Sequence, residues 1–133
     1  MQNELNKTTY RVIYGDVDAM RIAYYANYLR WFEIGRAELM RKLGVAYAEV
    51  EAHGFRLPVT EAHCRYLATI RYDDLLIIEA NVAFMRRASL RFDYLITREG
   101  DPAPLADGYT VHACLNTENK IVRLPDFVIQ ALR

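Results

Sequence analysis

The chain reads as an α+β domain: one strongly amphipathic helix near the start, then a run of strands joined by tight turns. Two observations carry that expectation. Large apolar residues recur at Tyr28, Trp31, Phe32, Leu39 and Leu43, with Gly35 and Met40 on or near the same stripe. This is the i, i+3, i+4, i+7 spacing of a helix with one buried face. From residue 56 onward, apolar residues mostly alternate with polar ones, and turn-forming residues break the runs. A helix face that apolar has only a sheet to pack against, so the sheet is expected to wrap around it.

The elements follow in order. Residues 8–14 alternate, with Tyr10, Val12 and Tyr14 on one side, as a short strand does. The stretch from Gly15 to Arg21 breaks that period and reads as a loop. The helix is expected over Asn27 to Leu43, with Asn27 as N-cap and Gly44 just past its last turn. After a linking stretch, residues 56–70 read as strand. The next run, 75–86, puts Leu76, Ile78, Ala80, Val82 and Phe84 on one side. Residues 89–98 do the same with Leu90, Phe92, Tyr94 and Ile96, and 105–116 with Tyr109, Val111, Ala113 and Leu115. Turns are expected at Tyr72–Asp74, Glu99–Pro102 and Glu118–Lys120, and a tight hairpin at Arg86-Arg87-Ala88. A short strand at 121–124 leads to Pro125, which suits the opening of a C-terminal helix.

Composition narrows the function. Of the 133 residues, 53% are hydrophobic and 26% charged, as in ordinary globular proteins. One domain spanning 1–133 is expected, because no linker, repeat or low-complexity stretch divides the chain. Lys plus Arg and Asp plus Glu both number 17, so no global field points to nucleic acid. Residues 1–8 are polar and no apolar run approaches membrane-helix length, so neither a leader nor stable membrane insertion is expected. Cys64 and Cys114 fit two buried thiols in a cytoplasmic chain better than a disulfide scaffold. No phosphate-binding glycine loop, dinucleotide fingerprint or nucleophile elbow is present. No cofactor is expected. The histidines His53, His63 and His112 and the two cysteines show no recognised zinc spacing.

Chemistry gathers at the first loop. Asp16 and Asp18 stand just before the helix, whose first amides lack intrahelical acceptors and carry partial positive charge. Such donors polarise a carbonyl while a nearby carboxylate attacks it or activates water. On spacing alone, the commoner role for both aspartates is turn hydrogen bonding. Tyr14, Tyr24, Tyr25 and Tyr28 surround the loop, as packing or as a substrate slot. Arg86 and Arg87 place two fixed charges at a hairpin, suited either to solvent or to phosphate.

Taken together, Tyr14-Gly15-Asp16-Val17-Asp18-Ala19-Met20, Ala26 through Glu33, Glu61 through Leu67, Arg71 through Leu75, Arg86-Arg87 and Val122 through Pro125 resemble the 4-hydroxybenzoyl-CoA thioesterase family. The likeness covers nearly the whole chain and is strongest to the bacterial branch of short acyl-CoA thioesterases linked with the Tol–Pal cluster. It implies a hotdog fold, in which a curved antiparallel sheet wraps one long central helix. It also implies a homodimer, further joined into a homotetramer, with active sites at the dimer interface and acyl-CoA as substrate. Asp18 would then be catalytic, and the Tyr25 amide, with Asn27 beside it at the helix start, would hold the thioester carbonyl. Leu57, Pro58 and Val59 would approach the acyl group from the partner subunit. Arg86, Arg87 and Ser89 would lie near the CoA phosphates. Two positions depart from the family pattern. Arg21 stands where the loop usually has glycine, which suggests a backbone conformation that arginine tolerates poorly. Tyr25 stands where the close bacterial branch usually has histidine, and where relatives acting on aromatic substrates carry tyrosine. Two alternatives remain: as another enzyme, a hotdog dehydratase or hydratase, whose histidine motif is missing, and, from a different class, a non-catalytic module that binds acyl-CoA or an acyl carrier protein.

Overall fold

The apolar stripe does form one helix, α1 (Asn27–Lys42), with Tyr28, Trp31, Phe32, Gly35, Leu39 and Met40 buried. Removing each large side chain of that stripe from water contributes about 2 kcal/mol. The computed structural model describes residues 4–133; residues 1–3, part of the polar start, lie outside the described residues. Gly44 ends α1 as expected. It takes φ +90°, donating to Arg41 O at 3.2 Å while Val45 N–H reaches Met40 O at 2.9 Å. That pair of bonds satisfies carbonyls the last turn leaves open, and the positive φ calls for glycine.

The helix start differs from expectation. Ala26 occupies the cap position with helical φ −67°, and no side chain caps it. Asn27 is already inside the helix. Its Nδ2 donates to Asp16 O at 2.7 Å and its Oδ1 accepts from Arg30 at 3.2 Å. Arg30 takes the side-chain oxygen a cap would use and the loop carbonyl takes the Nδ2 donor, so Asn27 ties the Asp16 loop to α1.

Five antiparallel strands form one sheet: β1 (Lys7–Arg11), β2 (Val59–Tyr66), β3 (Leu75–Met85), β4 (Ser89–Arg98) and β5 (Asp101–Ala113), in the order β1-β3-β4-β5-β2. Two short helices, α2 (Tyr47–Ala52) and α3 (Asp126–Leu132), complete an α+β fold. Helix α1 lies against the sheet closely enough that a Cβ on Gly35 would stand 2.7 Å from Ile78 Cγ2. The Phe32 ring stacks on Tyr94 at 4.3 Å between centroids. No described helix is long and apolar enough to cross a membrane.

Several expectations need correction. Strand β1 stops at Arg11, because the Asp16 carboxylate turns the chain before Tyr14, which is exposed. The 56–70 run forms a continuous strand only over Val59–Tyr66, with a single bridge from Arg56 to Leu115 before it. Leu76, Ile78 and Ala80 of β3 are buried, but the register shifts between Val82 and Phe84. A bulge of this kind reverses facing. Met85 then packs on the core, and Phe84 pairs with Arg91 and lies under the Arg86 guanidinium. Strand β5 begins at Asp101, directly after Gly100, rather than after Pro102. Its buried row continues through Ala106, Thr110 and His112 to Cys114, so Tyr109, Val111 and Ala113 lie on the other face. Residues 121–124 form a single bridge, Leu115 to Ile121, not a strand. Helix α2 falls in the stretch expected to be only linking. The hairpin at Arg86-Arg87-Ala88 forms as expected, closed by Arg86 N–H to Ser89 O at 2.8 Å.

Two polar residues enter the core because each finds partners, as burial requires. The Tyr94 hydroxyl meets Thr110 Oγ1 at 2.5 Å, Thr110 Oγ1 meets His112 Nε2 at 2.9 Å, and His112 Nδ1 meets Leu57 O at 2.8 Å. A carbonyl only accepts, so Nδ1 carries the proton and Nε2 accepts from Thr110. Arg36 closes the outer end, donating to the Tyr94 oxygen at 3.4 Å.

Candidate active site

The two loop aspartates have different surroundings. Asp16 is 2% exposed, and its carboxylate is occupied. Oδ2 accepts from the Tyr10 hydroxyl at 2.8 Å and from Ile13 N–H at 2.9 Å, while Oδ1 faces Arg30 at 3.5 Å. Its backbone oxygen accepts from Tyr24 N–H and from Asn27. Asp16 is therefore the residue that shapes the loop. Asp18 is half-buried, and its Oδ1 accepts from Met20 N–H at 2.8 Å. Among the described residues nothing donates to its Oδ2. The loop around it is closed by Arg21 N–H to Asp18 O at 2.9 Å and Asp18 N–H to Ile22 O at 3.0 Å. That closure puts Arg21 at φ +65°. A non-glycine residue in this left-handed region costs roughly 1 kcal/mol. The special backbone expected at this position is thus present, held here by an arginine.

The chain then turns into α1. Asn27 N–H bonds Tyr24 O and Tyr28 N–H bonds Tyr25 O. The amides of Tyr25 and Ala26 find no acceptor among the described residues. They lie in the turn that opens the helix, where partial positive charge collects. The Asp18 carboxylate with an open oxygen therefore precedes, by a few residues, a pair of open N–H donors.

Tyrosines divide into two groups. Tyr14 packs edge-on to Tyr72 at 5.7 Å. Tyr24 contacts Tyr25 at 4.8 Å, and Tyr66 meets both Tyr25 at 6.4 Å and Tyr28 at 4.7 Å. Tyr25, Tyr28, Tyr66, Leu67 and Thr69 line a slot of about 320 Å³ at the helix start. Burial pushes the Tyr28 phenol up to about 12, so it stays neutral. A second cleft, about 570 Å³, holds Asp18 with Arg21, Arg71, Tyr14 and Tyr72.

The remaining expected residues lie elsewhere. Leu57 is anchored by Tyr47 Oη on its N–H and by His112 on its oxygen, and Pro58 O accepts from Ala113 N–H. Val59 then opens β2, which runs to Tyr66 beside Tyr25. Eight strand residues span roughly 25 Å. Within one chain, therefore, Leu57, Pro58 and Val59 stand at the far end of β2 from the helix start. The Arg86, Arg87 and Ser89 hairpin is at the same far end, since Cys114 N–H bonds Ala88 O and Leu124 N–H bonds Arg87 O. Asn27 is tied to the loop two residues before Asp18, Asp18 and Tyr25 line two separate clefts near the start of α1, and the other six residues gather at the far end of β2.

Tyr66, Leu67, Arg71 and Tyr72 line the clefts, although the sequence marked them only as part of the family likeness and not as site residues. Their placement follows from β2 ending at the helix start and from the Ile22–Arg71 bridge, neither of which leaves a local pattern. Cysteine chemistry finds no support. Burial pushes the Cys64 thiol up to about 11 and raises Cys114 as well, and both are free. Among the described residues no group of three His, Cys, Asp or Glu side chains is placed to hold a metal.

Over residues 12–132 the sequence matches the thioesterase-like superfamily. The chain belongs to that superfamily. The acyl-CoA thioester hydrolase YbgC of Escherichia coli is 32% identical over 92 residues, 69% of each chain. A hypothetical protein of Aquifex aeolicus superposes with TM-score 0.90 at 28% identity, covering 96% of this chain and 98% of that one. A 4-hydroxybenzoyl-CoA thioesterase, solved as a mutant with 4-hydroxybenzoyl-CoA, superposes with TM-score 0.87 over 96% and 97% of the two chains. At 21% identity that likeness speaks for the fold alone. As a member of the superfamily the protein is a thioester hydrolase, and its open carboxylate and open amides are the first place to seek the chemistry.

Proposed function

We propose that the protein hydrolyses an acyl-CoA thioester to the free acid and CoA, with Asp18 as nucleophile or general base. The observation that carries this reading is the open Asp18 Oδ2 a few residues ahead of the unpaired Tyr25 and Ala26 amides. The Tyr25 amide polarises the thioester oxygen and stabilises the charge that develops there. In one route Asp18 attacks the carbonyl carbon, the C–S bond breaks, and CoA leaves as a thiolate that takes a proton. Water then hydrolyses the acyl anhydride. In the other route Asp18 takes a proton from water, the hydroxide adds to the carbonyl, and the same C–S bond breaks.

The working unit in this reading is a dimer with the hotdog arrangement, the sheet curving about α1. What supports it is β2, an edge strand exposed along nearly its whole length. Such an edge is a template for another strand. Two copies of β2 paired antiparallel about its middle set the partner subunit's Val59 beside Tyr66, at the mouth of the tyrosine slot. The partner's Leu57 and Pro58 follow, and the partner's Arg86, Arg87 and Ser89 come to the same side, where guanidinium forks suit CoA phosphates. Asn27 serves by tying the Asp16 loop to the helix. Pairs of such dimers would form the homotetramer. Within the superfamily, the likeness to the E. coli hydrolase supports the short acyl-CoA branch linked with the Tol–Pal cluster. The free Cys64 and Cys114 fit a reducing, cytoplasmic setting.

A thiol-release assay over acyl-CoAs of increasing chain length, with benzoyl-CoA included, tests the reading. CoA and free acid should appear in equal amounts for at least one member. Tight binding throughout, with no thiol released from any of them, would show instead a module that only binds acyl-CoA.

A further inference from the structure

The cleft on the other side of Asp18 has a chemistry of its own. Seven arginines among the described residues form ion pairs: Arg11, Arg30, Arg41, Arg65, Arg91, Arg98 and Arg123. The other seven form none, Arg21 and Arg71 among them, and neither of these two guanidiniums has a hydrogen-bond partner among the described residues. Both line the same cleft of about 570 Å³. The bridge pairs Arg71 with Ile22, the residue next to Arg21. Asp74 is already engaged by Arg98 at 3.0 Å and by Arg71 N–H, and Asp73 lies against Arg11. Asp18 is the one carboxylate lining the cleft, and it lies beyond ion-pair distance of both arginines. The Arg71 charge also reaches Asp74, but neither guanidinium is paired, and Asp18 is the carboxylate that shares their cleft, with the exposed Tyr14 and Tyr72 rings as an apolar wall.

Arg21 is also held at φ +65°. Glycine would occupy that turn without strain. An arginine kept there at a conformational cost is the pattern of a residue retained for what its side chain does. Guanidinium groups recognise phosphate and carboxylate through paired N–H donors.

We propose that Arg21 and Arg71 form an anion-binding subsite beside Asp18 that holds a charged group of the thioester substrate. The group is either a phosphate of the CoA carrier or a carboxylate at the end of the acyl chain. This inference rests on the thioesterase reading. It makes Arg21 a specificity residue that acts through binding.

The test uses Arg21→Gly, which removes the charge while suiting the backbone, and Arg71→Gln, which leaves the loop backbone alone. Three thioesters separate the sources: butyryl-CoA, succinyl-CoA and the phosphate-free butyryl-N-acetylcysteamine. If a phosphate is held, each variant raises KM for butyryl-CoA at least tenfold. If a carboxylate is held, the tenfold rise appears with succinyl-CoA and not with butyryl-CoA. In both cases kcat changes less than threefold, and the uncharged thioester shows no comparable loss. KM values within twofold of wild type for all three would overturn the proposal, as would an equal loss on the uncharged thioester. Should wild type hydrolyse none of the three, kinetics on these thioesters do not read the subsite, and the wider acyl-CoA panel decides the thioesterase reading separately. The subsite is then read by titrating CoA and succinate into wild type and Arg21→Gly. At least tenfold weaker binding of one of them to the variant supports it. Unchanged binding, or none to wild type, overturns it.

Discussion

Replacing Asp18 by asparagine should lower kcat by about 10²-fold or more while the melting temperature stays near that of wild type. The size is the one expected for losing the nucleophile or base of the proposed reaction. The folding part follows from what Asp18 holds. Its Oδ1 accepts one bond, from Met20 N–H, and an asparagine oxygen accepts the same bond. The other oxygen has no partner to lose, and the residue is only half-buried. Asp16 is the contrast, because its carboxylate holds Tyr10, Ile13 and Arg30, and its carbonyl holds Tyr24 and Asn27. KM should move little if the Tyr25 amide and the partner segment supply most of the binding. A thiol-release assay paired with a melting curve checks all three. A kcat within threefold of wild type would remove Asp18 from the chemistry.

A second large effect concerns pH and the core. His112 is 2% exposed, and burial, with the nearby Arg36 charge adding, lowers it to about 4. Its hydrogen bond to Leu57 O pulls the other way and does not win. The groups around it are Thr110 and Tyr94 on the sheet, Arg36 on α1 and the Leu57 carbonyl. Thr110 could accept from a charged Nε2 only by turning its hydroxyl toward Tyr94, which takes away the acceptor of the Tyr94 hydroxyl. The sign follows from the ordinary histidine value near 6.5. Above that value both folded and unfolded chains carry a neutral ring, and the group is silent. Between 6.5 and about 4 the unfolded chain binds the proton and the folded one does not, so stability falls as pH falls. At about 1.4 kcal/mol per pH unit, the loss accumulates to about 3 kcal/mol across that window. Asp74 and Asp107 are lowered by their arginine partners, so their stabilisation is lost at more acidic pH and does not mask the effect. Chemical denaturation at steps from pH 7 to pH 4 measures it. His112→Asn should flatten the curve between pH 6.5 and 4, whatever its starting stability. An unchanged slope in that variant would assign the loss to other groups.

What local spacing revealed was whatever local forces decide. The α1 stripe, the Gly44 stop and the Arg86–Ala88 hairpin all depend on residues a few positions apart, and all formed where expected. Helix α2 did not show, because six residues with one buried side chain, Val50, make too little periodicity to register. The face of β5 was hidden for a different reason. Its apolar-looking row of Tyr109, Val111 and Ala113 faces away, and its polar row, Thr110 and His112, is buried because Tyr94 and Leu57 supply partners from distant segments. Phe84 left its row through a bulge that no residue type announces. Within the site, Asp16 and Asp18 look equivalent in sequence. Only the fold brings Tyr10, Ile13 and Arg30 onto one of them and leaves an oxygen of the other open. The distance of Leu57, Pro58 and Val59 from that oxygen is also invisible in sequence, and it is what makes a second subunit necessary to the account.

Mixed subunits test that account most directly. Homodimers of Asp18→Asn lack the carboxylate, and homodimers of Val59→Trp block the slot with the partner's side chain. Unfolded and refolded together, the two variants pair at random, and each mixed dimer keeps one site built from an intact Asp18 and an intact partner Val59. Activity should return to about a quarter of wild type, since about half the dimers are mixed and each has one good site of two. Activity that stays at the level of the separate variants, with mixed dimers shown to have formed, would contradict a site shared between subunits.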